Sequence, residues 1–261
     1  MIKIGTCGYG DYRPEEGWKE RYANKLQSYT YAFDTVELNR TFYRLPRENT
    51  ARRWREEARP GFEFTVKVWQ AVTHPVSSPT WRSRKKELSD KQAEEVGFLE
   101  PNETVLDAWD RSRRIAAALE ARICVLQTPA KFDLSEEHEA RVRDFFARID
   151  RNGIVPAWEP RGSWNEHPER LARLCDELGI VHVVDVLRRE PVSSHPVAYI
   201  RLHGLNEREY DYNYEYSEDE LARLAERLAA LESRCESVYC MFNNMAMYDN
   251  ARRLRELLAG G

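Results

Sequence analysis

Five ionisable residues stand near the ends of short apolar runs that read as β-strands. Their types suit proton transfer and the binding of polar groups. Carboxylates and lysine can act as general acid or base, arginine can hold an anionic or carbonyl oxygen, and histidine can assist proton transfer. If the strands are parallel, these side chains meet at one edge of the sheet. The residues are Glu37, Lys67, Glu159, Arg201 and His203.

Alternation along the second candidate strand indicates which of its side chains point toward this site. Successive side chains of a strand lie on opposite faces. In Thr35–Asn39 the apolar Val36 and Leu38 share one face, and the other face ends in Glu37 and Asn39. We therefore expect Glu37 and Asn39 to face the interior of a barrel.

The third and seventh candidate strands follow the same rule. Phe64 and Val66 share one face of the third strand, which leaves Lys67 as the last residue of the polar face. In the seventh strand, Arg201 and His203 end the polar face. Other strands repeat the pattern more weakly and place Glu159 and four further polar residues at or near their C-terminal ends: Gln127, Arg161, Asp185 and Asn243.

Short β-like runs alternate with helical patterns along the whole chain, which predicts an α/β fold with a parallel sheet. The length of 261 residues suits either one (β/α) barrel, for which about 250 is typical, or two ordinary domains. We interpret residues 1–261 as one TIM-type barrel domain. Its eight candidate strands are Ile2–Thr6, Thr35–Asn39, Phe62–Val68, Ile123–Gln127, Ile154–Glu159, Val181–Asp185, Val197–His203 and Val238–Asn243.

Helical patterns fall between most of these strands, and Ser135 and Ser217 are expected to cap two of the helices. The barrel should be irregular between the sixth and seventh strands. There, Val186–Pro196 is too short and too broken by proline for a full helix, so a missing or shortened helix is predicted. The candidate helices are Thr50–Ala58, Glu103–Ala121, Glu136–Ile149, Pro168–Leu178, Glu218–Glu232 and Asn250–Leu258.

Two stretches read as long loops on the side where the strands end. Residues 74–101, which begin at His74, have the length of a loop that is functional or mobile and form a possible lid. The second, Asn206–Tyr216, carries four alternating tyrosines that either line a pocket or cover a core. Extended backbone would place all four rings on one side.

Composition limits the function classes. The net charge is -4 and the charges are interspersed, so binding to nucleic acid through bulk charge is possible but not favoured. The start of the chain lacks an export signal, and no apolar run is long enough to span a membrane. The five scattered cysteines suit free thiols in a reducing compartment. We expect a cytoplasmic protein without a membrane partner.

Cofactor use stays open at this point. The acidic residues and His203 are acceptable ligands for a divalent metal, but their spacing matches no metal motif, and nearby Lys67 and Arg201 would oppose a cation. We therefore assign no metal ligands. The segment Gly5–Gly10 lacks the spacing Gly-x-Gly-x-x-Gly, so no nucleotide-cofactor motif is present.

The same residues resemble those of the YecE-like barrels, also called domain of unknown function 72, over nearly the whole chain. The resemblance implies an irregular β/α barrel and a pocket, but no settled reaction. Descriptions of the family as related to sugar isomerases rest on shared barrel architecture and are an analogy. The resemblance is carried by 5–9 (GTCGY), 36–43 (VELNRTFY), Lys67 with 73–74 (TH), 159–164 (EPRGSW), 201–204 (RLHG) and 242–244 (FNN).

The sequence departs from the usual family pattern in three places. Cys7 and Tyr9 depart from the serine and tryptophan common in the family, and 128–130 (TPA) replaces Leu-Pro-Pro. A tolerated substitution is a simpler interpretation of Cys7 than a nucleophile. The ligand-binding residues expected from the strands and the resemblance together are Asn39, Tyr43, His74, Gln127, Arg161, Trp164, Asp185, Arg201 and Asn243.

Three functions compete. The first is an isomerase, lyase or hydrolase of a sugar-like or phosphorylated small molecule, with Glu37, Lys67, Glu159 and His203 as catalytic residues. The second is a module that binds a ligand or nucleic acid without catalysis, in which the tyrosines stack on bases and Arg82–Lys86 meet phosphates. The third is a metal-dependent phosphoesterase. A buried ionic network that only joins the strands is the structural alternative to all three, although such networks stabilise proteins poorly.

Overall fold

Eight parallel strands close on themselves into a barrel, and each strand pairs with its neighbours in sequence. The computed structural model describes residues 1–82 and 88–260. The predicted TIM-type barrel is confirmed, and each strand lies within a residue or two of its expected place. The strands are β1 (Ile2–Thr6), β2 (Thr35–Leu38), β3 (Glu63–Lys67), β4 (Ile123–Gln127), β5 (Val155–Glu159), β6 (Val181–Val184), β7 (Val197–Leu202) and β8 (Ser237–Phe242).

Helices surround the barrel, and all six predicted helices are present, two with the predicted ends and four with shifted ends. Four short helices were not predicted from the sequence: Trp18–Arg21, Lys25–Ala32, Arg40–Tyr43 and Asp90–Glu95. Among the described residues, no helix is long and apolar enough to cross a bilayer. The helices are α1 (Trp18–Arg21), α2 (Lys25–Ala32), α3 (Arg40–Tyr43), α4 (Glu48–Glu57), α5 (Asp90–Glu95), α6 (Glu103–Ala118), α7 (Glu136–Arg148), α8 (Pro168–Leu178), α9 (Glu218–Glu232) and α10 (Met247–Gly260).

The helix ends follow from local hydrogen bonding. Ser135 accepts from the backbone N–H of His138 at 3.1 Å, and Ser217 accepts from that of Glu220 at 3.3 Å. Both predicted N-caps are confirmed. These bonds satisfy backbone donors that have no partner inside the helix.

Two apolar layers hold the barrel together. The larger lies between the strands and the helices, and the smaller lies inside the barrel. Interior positions alternate with outward ones along each strand, as the sequence pattern predicts. The interior layer contains Cys7, Ile123, Val125, Ala157, Val181, Val183, Tyr199, Tyr239 and Met241.

The link between β6 and β7 contains no helix, as predicted. Hydrogen bonds from this link cover the outer side of β6. The backbone N–H of Val192 donates to His182 Nδ1 at 3.3 Å, and that of His182 donates to Ser193 Oγ at 3.0 Å. The missing helix leaves the C-terminal end of β6 close beneath the loops that follow β5 and β7.

The described parts of residues 74–101 pack onto the barrel. The indole of Trp81 is buried and donates to the carbonyl of His74 at 3.0 Å. After α5, the backbone N–H of Gly97 donates to Ala71 O at 2.8 Å, and that of Leu99 donates to Val72 O at 3.0 Å. Both ends of the segment are therefore anchored. A lid movement stays a prediction, and 83–86 of the segment Arg82–Lys86 lies outside the described residues.

The close approach of β1 and β2 depends on Gly5. A Cβ atom added there would lie 2.1 Å from the carbonyl oxygen of Thr35, a backbone atom that cannot move alone. We expect Gly5→Ala to lower the free energy of unfolding by about 2–3 kcal/mol or more. Gly10→Ala is the matched control, because nothing lies within 4 Å of its added Cβ. Urea denaturation of both variants measures the difference, and equal stability of the two would contradict this account of the β1–β2 contact.

Candidate functional site

All five ionisable residues first identified from the sequence lie together at the C-terminal rim, the edge of the barrel formed by the C-terminal ends of the strands. Four of them are strand residues, and His203 directly follows the last residue of β7. All five are buried, with exposed fractions of 8% or less. The two carboxylates and three basic groups therefore occupy a layer that is normally apolar in such barrels.

Arg201 forms the centre of the site. Its Nη2 donates to Glu37 Oε1 at 3.0 Å, and its Nη1 donates to Glu159 Oε2. The guanidinium is 1% exposed, so both ion pairs are shielded from water. Burial alone would raise the pKa of Glu159, but Arg201 and then Arg161 outweigh it and hold that pKa well below its usual range. Glu159 is a carboxylate at any ordinary pH.

Glu37 is held from a second side by Tyr199. The phenol donates to Glu37 Oε2 at 3.0 Å and shares a 2.7 Å hydrogen bond with the hydroxyl of Thr65. Burial, and then Glu37, raises the pKa of Tyr199 well above its usual value, so the phenol stays protonated. The alternation of β7 placed Tyr199 in the interior, but its polar contacts could not be foreseen from sequence.

Lys67 lies beside this charged centre, and no residue that the structure describes forms an ion pair with it. Its Nζ donates to Gln127 Oε1 at 2.9 Å and lies 4.5 Å from the centre of the Phe42 ring. Burial, and then the charge of Arg201, lowers the pKa of Lys67 to about 7, although Glu37 and Glu159 act in the opposite direction. Near neutral pH the amine is present in both protonation states.

His203 and Asp185 form the opposite side of the site. Neither ring nitrogen of His203 has a hydrogen-bond partner, and its Nε2 lies 4.0 Å from Glu159 Oε1. Burial lowers the pKa of His203 to about 3, so the ring is neutral. Asp185 Oδ1 accepts from the backbone N–H of Leu187 at 3.0 Å, whereas Oδ2 has no partner. Burial raises the pKa of Asp185 to about 6.

A narrow cavity, partly open to solvent, lies against this side. The ion pair between Arg189 and Glu209 and the ring of Tyr210 line it from the loops. Arg161 binds Glu159 Oε1 at 3.0 Å, and its guanidinium carbon lies 3.6 Å from the centre of the Tyr210 ring. Sequence reasoning gave Arg189 and Glu209 no role, because neither stands on a strand.

The four tyrosines of the loop Asn206–Tyr216 form two pairs, one beside His203 and one that packs against the barrel. Tyr210 and Tyr212 lie with their ring centres 5.5 Å from that of His203. Tyr214 and Tyr216 instead pack against each other, and Tyr216 accepts from the backbone N–H of Gly204 at 2.9 Å. The four rings do not share one side, because the loop is not a regular strand.

Other expected pocket residues lie at varying distance from this centre. Asn39 and Asn243 join the ends of β2 and β8 through a 3.4 Å hydrogen bond. His74 is buried, with Nδ1 bonded to Thr73 Oγ1 at 2.8 Å and its ring against Phe42. Tyr43 lies outside the cavity wall and is 44% exposed. A ligand contact for these residues stays a prediction.

Trp164 does not contribute to the cavity wall. Its indole is fully buried, donates to Phe132 O at 2.7 Å and packs edge-on against Trp158. The tryptophan belongs to the apolar layer outside β5, because the short 3-10 helix 162–166 turns its side chain away from the rim. The geometry gives no support to the expectation that it binds a ligand.

Cys7 and metal binding can also be judged from the geometry. The thiol is buried 3.7 Å from Arg201 Nη2, and burial, followed by Glu37, raises its pKa far above the usual range. It is therefore a poor nucleophile. Within residues 1–82 and 88–260, no group of three or more His, Cys, Asp or Glu side chains is arranged to hold a metal ion.

Fold and site together define a TIM-type (β/α)8 barrel with a polar site at the C-terminal ends of its strands. Residues 3–260 match the family described as Protein of unknown function DUF72. The chain belongs to this family, which confirms the resemblance inferred from the motifs.

Known proteins similar to this chain support the same assignment. UPF0759 protein YunF of Bacillus subtilis is 28% identical over 288 residues, which cover 99% of this chain and 95% of that protein. A DUF72 family protein of Thermotoga maritima has a TM-score of 0.73 at 24% identity and 99% coverage of both chains. A xylose isomerase domain containing protein of Salmonella typhimurium has a TM-score of 0.54 at 16% identity, with coverage of 90% and 92%. The two structural similarities show the barrel fold.

Removal of Arg201 should destabilise the barrel strongly. Arg201→Met leaves Glu37 and Glu159 buried without their cation, and we expect a loss of about 3–5 kcal/mol in the free energy of unfolding. Arg52→Met is the matched control, because that arginine forms an exposed helix ion pair with Glu48 and should change little. Chemical denaturation at pH 7 gives both values. A loss for Arg201→Met no larger than that of the control would show that the network is not energetically coupled.

The low pKa of Lys67 should make stability depend on pH. Between its folded pKa of about 7 and the ordinary value of 10.5, the unfolded chain binds more protons at this site. Stability of the wild type should therefore rise relative to that of Lys67→Met as pH increases from 7 to about 10. Denaturation at several pH values measures this difference, with Lys131→Met as the exposed control. A difference that stays constant with pH would contradict the shifted pKa.

Proposed function

We propose that the C-terminal rim binds a hydroxyl-rich, sugar-like small molecule and catalyses acid–base chemistry on it. One observation carries this proposal: the buried side chains of Asp185, Arg201 and His203 line one cavity and keep polar atoms without partners. A buried polar atom without a hydrogen bond costs about 1–3 kcal/mol. A bound ligand with several hydroxyl groups would satisfy these atoms.

The cavity wall alternates donors and acceptors, which favours hydroxyl groups because each can donate and accept. Asp185 Oδ2 is an acceptor, Arg201 Nε is a donor, and neutral His203 offers one of each. The xylose isomerase domain in the name of the Salmonella protein agrees with a sugar-like ligand. Since that similarity is one of fold alone, the ligand class rests on the residues.

Two groups suit proton transfer near neutral pH. An efficient general acid or base has a pKa close to the working pH, and the pKa values of Asp185 and Lys67 are about 6 and about 7. Glu37 and Glu159 suit this task less well than the sequence suggested. Both oxygens of each carboxylate are already bonded, to Tyr199, Arg161 and Arg201. We assign these two carboxylates to holding Arg201 in place.

The proposal is tested by titration calorimetry with D-xylose, D-ribose 5-phosphate and inorganic phosphate. We expect at least one of the two sugars to bind, and Asp185→Asn to weaken that binding about tenfold or more, because one hydrogen-bond acceptor of the cavity is lost. Where a compound is turned over, kcat/KM should fall on the order of 100-fold.

Asp107→Asn serves as the control, since Asp107 lies on the exposed side of α6 with 57% of its side chain exposed. It should bind the sugars as the wild type does. Binding of phosphate alone would indicate an anion site rather than a sugar site. The proposal fails if neither sugar binds, or if Asp185→Asn and Asp107→Asn bind them equally well.

A further inference from the structure

Lys67 differs from the other basic groups of the rim in having no anionic partner. Arg161 and Arg201 each bind a carboxylate oxygen directly. Among the described residues, no carboxylate forms an ion pair with Lys67, whose Nζ has the neutral amide oxygen of Gln127 as its hydrogen-bond acceptor. The amine is therefore not needed as a counter-ion in the network.

Lys67 is also more accessible than the three charged residues of the central network. Its exposed fraction is 8%, compared with 0% for Glu37, 4% for Glu159 and 1% for Arg201. The ring of Phe42, 4.5 Å from Nζ, shields one side of the amine from water. The two carboxylates, in contrast, are covered by their arginines.

We propose that Lys67 Nζ is a nucleophile that forms an imine with the carbonyl carbon of a small aldehyde or ketone. The nitrogen lone pair forms the C–N bond, and one proton passes from nitrogen to the carbonyl oxygen, which gives a carbinolamine. The nitrogen lone pair then expels the oxygen as water, with a proton taken from solvent, and leaves an iminium ion; loss of the remaining N–H proton gives the imine and returns that proton to solvent. No oxidant or reductant is required. The inference rests on the proposed function only in that the rim must admit a small polar molecule.

The electrostatic surroundings suit both stages of this reaction. Attack needs the neutral amine, and burial with the charge of Arg201 favours that form by lowering the pKa of Lys67 to about 7. The iminium ion that follows is a cation. The carboxylates of Glu37 and Glu159 act on Nζ in the favourable direction, since both raise its pKa, and they would stabilise that cation once it forms.

Imine formation requires a functional group on the ligand that acid–base catalysis on a sugar does not require. A general base needs only to exchange a proton, whereas imine formation requires a ligand with a free carbonyl group. Open-chain sugars carry such a group. The ligand class therefore narrows from hydroxylated molecules in general to aldehydes and ketones.

Reductive trapping tests the inference on the wild-type protein. The protein is incubated at pH 7 with glycolaldehyde or glyoxylate and sodium cyanoborohydride, which converts an imine into a stable secondary amine, and the adducts are mapped by peptide mass spectrometry. The chain has eight lysines, so every site can be followed. We expect Lys67 to be labelled about tenfold or more faster than Lys131, because fewer than about one in a thousand ordinary exposed lysines is neutral at pH 7.

Lys67→Arg keeps the positive charge but cannot form an imine, so it should lose the fast-labelled site and leave the labelling of Lys131 unchanged. Faster labelling by neutral glycolaldehyde or by anionic glyoxylate would show which kind of carbonyl compound is preferred. Labelling of Lys67 at or below the rate of Lys131 overturns the inference, whether or not the variant folds. If sugars bind as proposed but Lys67 is not trapped, the nucleophile is refuted and the proposed function stands.

Discussion

The structure depends on one buried guanidinium that joins three strands across the interior of the barrel. Arg201 extends from β7 and binds Glu37 on β2 and Glu159 on β5. Both carboxylates are buried and depend on this guanidinium for a charged partner, since isolated buried charges are very costly. The apolar layer inside the barrel packs side chains from several strands against each other. The ion pairs determine which polar groups of the rim already have a partner.

The remaining properties of the rim follow from this pairing. Because Arg201 and Arg161 take up the oxygens of Glu159, its pKa is low and the group cannot serve as a base near pH 7. Because both carboxylates already have arginine partners, their charges offset the burial of Lys67 only in part. The pKa of Lys67 therefore falls to about 7. Asp185 lies outside the pairing and has the opposite shift, to about 6. A fixed charged centre thus separates two groups that can exchange protons.

The sequence predicted the barrel and the inward positions well, because both depend on the two-residue period of a strand. Glu37, Lys67, Arg201 and His203 were placed correctly by alternation alone. The partner of each group could not be predicted, since pairing across a barrel depends on side-chain reach between distant strands. The positions of loop residues such as Arg189 and Glu209 could not be predicted either, because loops lack the regular spacing of strands and helices. Trp164 was expected in the pocket through its motif, yet the turn before α8 directs it into the core.

A purely structural network does not account for the arrangement of the rim. A network that only joined strands would satisfy its own polar atoms, since unsatisfied ones reduce the stability that it provides. Here Arg201 Nε, Asp185 Oδ2 and both nitrogens of His203 are buried without a partner among the described residues, and the three side chains line the same cavity. Apolar residues of similar size would stabilise the barrel as well or better. A cavity wall with unpaired donors and acceptors therefore supports the proposed binding site better than a purely structural role.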